Sequence, residues 1–316
     1  MIKFRYSVML NQFRKKMNKR LLPGFKTLFL LLAFACVNVC AYAQPELFVS
    51  ILPQKFFVEQ LAGDLVKVEV MVGPGMSPAT YEPLPLQMAR LSRAKSFFAV
   101  GLPFEKTLVD KMKSVCPDVN IIDTSAGIKK RHMESFEAID HHHEHGEDCD
   151  HSAGSPDPHI WLDPQLVKIQ ADNIAGELKR LLPDQVEILE VRLNSFKERL
   201  DQITSELEKI LAPFKGRPML VFHPAFGYFA DRFGLIQHSI EIEGKDPTPR
   251  QMVSIIRKCR AEKIKIIFVQ QQFSSKAANA IAESIGGAVV SVNHLEENYF
   301  LGLRNLADAL SESLSQ

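Results

Sequence analysis

The segment PDQVEILEVRLNSFKERLDQITSELEKILAP, residues 183–213, decides the architecture that the sequence predicts. Between its outer prolines, apolar residues recur at alternating intervals of three and four, which is the period of one helix face. We therefore expect a helix of about 28 residues, roughly 42 Å long, that serves as a strut inside one chain. We expect a monomer. The alternative is a dimer in which this helix forms a coiled coil with the same helix of a second copy. The apolar series is Val186, Leu189, Leu193, Phe196, Leu200, Ile203, Leu207 and Ile210.

Short apolar runs alternate with helical patterns on both sides of this helix. Four predicted strands precede it, at 47–52, 66–72, 96–100 and 120–122, and four follow, at 219–222, 237–242, 264–269 and 288–292. The alternation predicts an α/β fold: two βα-type lobes with parallel-rich sheets, joined by one long rigid helix. We assign residues 44–182 to the N-terminal lobe, 183–211 to the linking helix and 212–316 to the C-terminal lobe.

The first 43 residues have the organisation of a secretory signal peptide. They hold eight basic and no acidic residues, then an apolar run of about 13 residues and the small pair Ala41 and Ala43. This run is shorter than the roughly 20 residues that a spanning helix needs, so we expect no stable membrane insertion. Phe34 and Val39 are too large for a good lipobox before Cys36 or Cys40, which disfavours lipidation. We expect a periplasmic or other extracytoplasmic protein.

The charge balance excludes one class of partner. The whole chain has a formal charge of +1, but without the first 43 residues it has 30 basic and 37 acidic residues. Nucleic-acid phosphates require a basic face, so we expect no nucleic-acid binding. The 46% hydrophobic content is that of a globular protein rather than of a disordered chain.

Histidine placement points to metal chemistry. Residues 140–151 hold five histidines, five carboxylates and Cys149, and this donor set suits zinc or another borderline metal. A solvated polar loop without a role is the alternative. We favour weak metal capture at several sites in this histidine-rich loop, through His141, His142, His143, His145 and His151.

Two further histidines have rigid surroundings. His159 lies in the segment DPHIWLDP, residues 157–164, between two prolines and beside the single tryptophan. His223 follows an apolar strand in VFHP, residues 221–224, where binding sites of parallel sheets are found. Taken alone, each of these histidines would more often be a hydrogen-bonded structural residue than a ligand.

These segments occur in the same order as in a known family. Together with PATYEP at 78–83, FHPAFGYF at 222–229 and the midchain helix, the chain resembles the zinc and manganese solute-binding proteins of ABC transporters, the ZnuA/TroA-like family. The resemblance implies two α/β lobes, a metal ion held in the cleft between them, and delivery of that ion to a membrane permease. It also implies that His159 and His223 are metal ligands. Manganese-binding members of the family usually have a carboxylate at the position of His223. The histidine at this position and the histidine-rich loop therefore favour Zn²⁺ over Mn²⁺.

The chain departs from this family at one ligand position. The family has a histidine before the Tyr-Glu-Pro sequence, and here that residue is Ala79, whose methyl group cannot coordinate. Near the last strand, Asn293 stands where the family often has an aspartate, and His294 follows it. We take His294 as the replacement ligand. The fourth coordination position is left to water, Glu82 or a loop residue.

Three classes of function remain open at this point. A three-histidine set resembles the open site of a zinc hydrolase, for which Glu82 or Glu243 could act as the general base. The chain has no His-Glu-x-x-His, Gly-x-Ser-x-Gly or phosphate-loop motif, so we do not expect an enzyme. A surface adhesin of the same fold is the other alternative. The sequence favours zinc capture and delivery to an ABC permease without covalent chemistry.

Overall fold

The computed structural model describes residues 44–133, 155–242 and 244–315. The predicted signal peptide at 1–43 and the histidine-rich loop at 140–151 lie outside these ranges, as does Glu243. Within the described ranges, no helix combines the length and the apolar character that crossing a membrane requires.

The first half of the described chain builds a sheet of four parallel strands in the order β2-β1-β3-β4. Its strand order reverses beside β1, which pairs with both β2 and β3. In parallel sheets, ligands bind at the carboxyl ends of the strands at such a reversal. The strands are β1 (Glu46–Ile51), β2 (Lys67–Val72), β3 (Ser96–Ala99) and β4 (Asn120–Asp123), and the helices that follow the first three strands are α1 (Leu52–Ala62), α2 (Pro85–Leu91) and α3 (Pro103–Val115).

Two long helices connect this sheet to the second half. The first, α4 (Pro164–Leu181), begins at Asp163, whose side chain accepts a hydrogen bond from the backbone N–H of Gln165. The second, α5 (Val186–Leu211), has 26 residues and a length of about 39 Å. Six of the eight residues in the predicted apolar stripe are buried: Leu189, Leu193, Phe196, Leu200, Ile203 and Leu207.

The two ends of the stripe differ from its centre. Val186 is 37% exposed, and Ile210 is only partly buried because Leu211 occupies the buried position at that end. The long central helix is present as the sequence predicts.

The second sheet repeats the topology of the first, with the order β6-β5-β7-β8 and parallel pairing throughout. Here β5 pairs with both β6 and β7, so it has the place that β1 has in the first sheet. The strands are β5 (Pro218–Val221), β6 (Ile236–Ser239), β7 (Ile266–Gln270) and β8 (Ala288–Val292), and the helices are α6 (Gly227–Phe233), α7 (Pro249–Ala261) and α8 (Lys276–Ile285).

The last helix, α9 (Tyr299–Leu314), returns to the first half and packs against α5. Its first residue, Tyr299, meets the ring of Phe57 in α1 edge to face, with 5.0 Å between ring centroids. Phe300 lies 6.0 Å from Phe196 of α5 by the same measure. Burial of each such aromatic side chain contributes about 1.5–3 kcal/mol, so this cluster ties the end of the chain to its beginning.

The two parallel sheets and the long helix confirm the predicted α/β class. All eight predicted strands are present, with small differences in their ends. The predicted strand at 237–242 stops at Ser239, because the chain turns there and carries Glu241 out of the sheet. The exact lobe boundaries that we assigned from the sequence remain predictions.

Candidate metal centre

His159 is held by the short segment that leads into α4. The Asp157 carboxylate accepts a hydrogen bond from the His159 backbone N–H, and its Oδ1 also lies 2.7 Å from Nδ1 of the imidazole. Trp161 follows in a 3₁₀ turn, Ile160–Leu162, with its ring centroid 5.1 Å from that of His159. Because Asp157 engages Nδ1, the free lone pair of the imidazole belongs to Nε2.

His223 is placed by the second sheet. It follows β5 at the point where the strand order reverses, which is the expected place for a binding residue. The Gln270 side chain fixes its backbone, since Nε2 donates to the His223 carbonyl and Oε1 accepts from the His223 N–H. Glu241 Oε2 lies 2.9 Å from Nδ1. The ring of Phe273 stacks on the imidazole, with a centroid distance of 4.8 Å.

The two imidazoles face each other through their remaining nitrogens. The Nε2 atoms of His159 and His223 are 3.3 Å apart. Two ligands of a tetrahedral zinc ion, each about 2.0–2.1 Å from the metal, are separated by about 3.3 Å. The pair therefore has the spacing that two zinc ligands require.

His294 is the third histidine in this region. It follows β8, and its ring centroid is 6.0 Å from that of His159 and 6.4 Å from that of His223. The indole N–H of Trp161 donates to the His294 backbone carbonyl, 2.8 Å away. Among the described parts of the chain, no three side chains are already arranged as a complete metal-binding set. His294 therefore lies beside the pair without completing such a set.

All three histidines are buried, and burial lowers the pKa of two of them, His159 and His294. The exposed fractions of His159, His223 and His294 are 5%, 8% and 4%. Burial lowers the pKa of His159 in spite of the opposing attraction of Asp157. The pKa of His294 lies well below its usual value because of burial first and then the proximity of the other two histidines. Neutral imidazoles are the form that binds metals, so the site disfavours protons as competitors.

Three further residues that the sequence singled out, Ala79, Glu82 and Asn293, lie within the described ranges. Ala79 and Glu82 are exposed on the loop between β2 and α2. The Asn293 side chain closes a turn, because Oδ1 accepts from the Leu295 N–H and Nδ2 donates to Glu296. The five histidines of the histidine-rich loop, and Glu243, lie outside the described residues.

Three supporting residues were missed by the sequence analysis: Asp157, Glu241 and Gln270. Asp157 stands two residues before His159, where an aspartate can reach the next backbone N–H groups, and this local signal could have identified it. Glu241 and Gln270 lie at the ends of β6 and β7, the two neighbours of β5. Their contacts with His223 depend on strand order, which the sequence pattern did not specify.

Comparisons with known proteins agree with this architecture. The family model described as zinc-uptake complex component A, periplasmic (ZnuA), matches residues 47–313. The high-affinity zinc uptake system protein ZnuA of Yersinia pestis is 27% identical over 297 residues, covering 90% of this chain and 93% of that protein.

Two solved structures are also similar. The crystal structure of ZnuA superimposes with a TM-score of 0.78 and 36% identity over 85% of this chain and 99% of that chain. The laminin-binding protein Lmb of Streptococcus agalactiae, described as a bifunctional protein with adhesin and metal-transporting activity, gives 0.71 and 25% over 86% and 99%. These relatives are metal-binding uptake proteins rather than enzymes, as the sequence predicted. The chain belongs to the ZnuA family of periplasmic components of zinc-uptake complexes.

Proposed function

We propose that this protein captures Zn²⁺ between its two halves, with His159, His223 and His294 as ligands. The observation that carries the proposal is the 3.3 Å separation of the His159 and His223 Nε2 atoms. The imidazoles of His159 and His223 each have a buried carboxylate beside Nδ1, which is the usual support for a histidine bound to zinc. The zinc ion is the cargo of this site.

The donor set favours zinc over manganese. Neutral imidazoles suit zinc, whereas manganese prefers carboxylate and water oxygens. The two carboxylates nearest the pair, Asp157 and Glu241, are engaged with the Nδ1 atoms and so lie behind the ligands. Their two negative charges balance those of Zn²⁺ without direct coordination.

His294 is the proposed replacement for the ligand that is missing at Ala79. It is buried beside the pair, while Ala79 is exposed on a separate loop. With three histidines bound, one tetrahedral position remains for water, since Glu82 is exposed. The surrounding rings of Trp161 and Phe226 shield the site, and the Phe226 centroid lies 6.3 Å from that of His294.

Delivery of the ion to an ABC permease is part of the proposal. Membership of a family named for zinc uptake supports this part of the proposal. We propose that the chain is exported by the signal peptide at 1–43, acts as a monomer outside the cytoplasmic membrane, and is not lipidated.

The packing of α5 against α1, α4 and α9, and the ion pair of Asp163 with Arg232 in α6, oppose wide opening. Release therefore depends on small tilts and loop movements that the permease induces.

The histidine-rich loop is proposed to hold additional, weaker zinc sites through His141, His142, His143, His145 and His151. Calorimetric titration of the chain beginning at Gln44, with and without residues 140–151, tests both parts. We expect one tight phase near one equivalent in both proteins, and weaker phases only when the loop is present. Absence of the tight phase from the deletion protein would move the principal site to the loop and reject the assignment to the cleft.

A second function is favoured by one comparison. Lmb is described as both an adhesin and a metal transporter, and its fold covers 86% of this chain. We propose adhesion only as an addition to zinc capture. Binding of the zinc-loaded and chelator-treated protein to immobilised laminin tests it, and equal signals for this protein and for albumin would reject it.

A further inference from the structure

Two buried polar atoms beside the metal centre have no hydrogen-bond partner among the described residues: Nδ1 of His294 and the hydroxyl oxygen of Tyr299. Both residues are almost inaccessible, with exposed fractions of 4% and 3%. A buried polar atom without a partner destabilises a fold, and ordered water commonly satisfies such atoms.

A small cavity borders both residues. It has a volume of about 10 Å³, which is close to the least space that one water molecule needs. Trp161, Asn293 and Glu296 also line it, and the last two bring amide and carboxylate groups. Its lining among the described residues does not include His159 or His223, so it is separate from the space between those two imidazoles.

We propose that one water in this cavity links the Tyr299 hydroxyl to Nδ1 of His294, making Tyr299 a positioning residue for the third zinc ligand. The inference rests on the proposed role of His294 in zinc binding. The water oxygen accepts the Nδ1 proton of His294 and shares a second hydrogen bond with the Tyr299 hydroxyl. When zinc takes the Nε2 lone pair, the imidazole carries its proton on Nδ1, and this arrangement gives that proton an acceptor.

The charges around the site explain why a neutral link suits His294. Asp157 and Glu241 support the other two histidines, and their charges already balance a divalent ion. The further carboxylate at the cavity, that of Glu296, is only partly buried and accepts a hydrogen bond from the Asn293 amide. A water and a phenol orient the imidazole without adding charge.

Packing fixes the Tyr299 ring at the wall of this cavity. It begins α9, and its ring packs edge to face on Phe57 at 5.0 Å. Replacement by phenylalanine preserves this packing and removes only the oxygen. A loss of zinc affinity in Tyr299→Phe would therefore report the hydroxyl rather than the ring.

The test compares Tyr299→Phe with Thr204→Val, which removes a buried hydroxyl from α5. Zinc affinity is measured by chelator competition at pH 7.5 on protein without residues 140–151. We expect about tenfold weaker binding for Tyr299→Phe, the lower end of the cost of losing an outer partner of a zinc ligand. Thr204→Val should bind zinc as the parent protein does. Equal affinity of Tyr299→Phe and the parent would overturn the proposal.

The histidine tautomer gives a readout that a merely structural effect would not change. In long-range ¹H–¹⁵N NMR spectra of the zinc-loaded parent, His294 should carry its proton on Nδ1 and zinc on Nε2. The Nδ1 resonance should shift in Tyr299→Phe and stay constant in Thr204→Val. Zinc on Nδ1 in the parent protein would overturn the proposal.

A double-mutant cycle separates this inference from the proposed function. In a His294→Ala background, Tyr299→Phe should cause no further loss of zinc affinity, because the ligand that it orients is gone. A further tenfold loss there would show a structural effect and overturn the inference. If His294→Ala itself binds zinc normally, the ligand role of His294 fails. If His294→Ala weakens binding and Tyr299→Phe does not, only the role of Tyr299 fails.

Discussion

Trp161 donates its indole N–H to the backbone carbonyl of His294 across 2.8 Å, so one hydrogen bond joins the segment before α4 to the segment after β8. The Trp161 ring also lies 5.1 Å from His159 and stacks on the His294 ring at 6.4 Å between centroids. The side chain therefore contacts both halves of the proposed zinc site.

This position predicts a fluorescence signal, because Trp161 is the single tryptophan of the chain. Zinc added to protein without residues 140–151 should change the tryptophan emission and reach a plateau at one equivalent. Binding orders His159 and His294 against the indole ring, while magnesium, which prefers oxygen ligands, should leave the emission unchanged. An emission spectrum that zinc does not alter would argue against a site beside Trp161.

Removal of either facing histidine should weaken the tight phase. We expect His159→Ala and His223→Ala to lower zinc affinity at least about tenfold, or 1.4 kcal/mol, because water only partly replaces an imidazole ligand. His238→Gln is the matched control, since His238 is also buried and lies 3.0 Å from a carboxylate, that of Glu262. Calorimetry gives the affinities. A ligand variant that binds zinc as tightly as the control would remove that histidine from the site.

The carboxylate behind His223 should matter without touching the metal. Glu241→Gln keeps the shape of the side chain but removes the charge that stabilises the zinc-bound imidazole. We expect about a tenfold loss of zinc affinity, at the low end for an outer partner of a ligand. Glu262→Gln, which alters the equivalent partner of His238, is the control. Unchanged affinity of Glu241→Gln would show that the contact of 2.9 Å only supports the fold.

The sequence was sufficient for the fold because the signals that carry it are local. The period of the apolar series from Leu189 to Leu207 specifies one helix face, and the runs of β-branched residues specify strands. The site was only partly predictable. His159 and His223 stand in rigid local settings, but Glu241 reaches His223 only because β6 pairs with β5. Tyr299 and His294 line one cavity because a turn follows β8 and α9 then begins, and no periodicity encodes such a placement.

The lowered pKa values of the buried histidines predict acid sensitivity of the metal-free protein. In the unfolded chain, His159 and His294 regain a pKa of about 6.5, whereas burial lowers it in the folded state. Below pH 6.5 the unfolded chain therefore binds more protons, and stability falls as the pH falls towards the folded pKa values. Urea unfolding with a chelator at pH 7.5, 6.5 and 5.5 should show this decline. A His159→Gln and His294→Gln double variant should lose less stability over the same interval, and an equal loss would contradict the assignment.

Ala79 offers a test of whether His294 replaces an absent ligand. The loop that carries Ala79 leaves the carboxyl end of β2, at the edge of the first sheet where ligands of parallel sheets bind. If His294 supplies the donor that this loop lacks, a histidine returned to the loop should compensate for its removal.

We therefore expect Ala79→His to raise the zinc affinity of a His294→Ala protein by about fivefold to thirtyfold, or 1–2 kcal/mol, because a tethered imidazole replaces a bound water. The control is Thr80→His in the same background, which places a histidine at the exposed neighbouring position. Chelator competition at pH 7.5 measures both. The gain should shrink below about pH 6.5, where a free histidine holds its proton. Equal affinities of the two histidine variants would show that Ala79 does not mark a vacant ligand position.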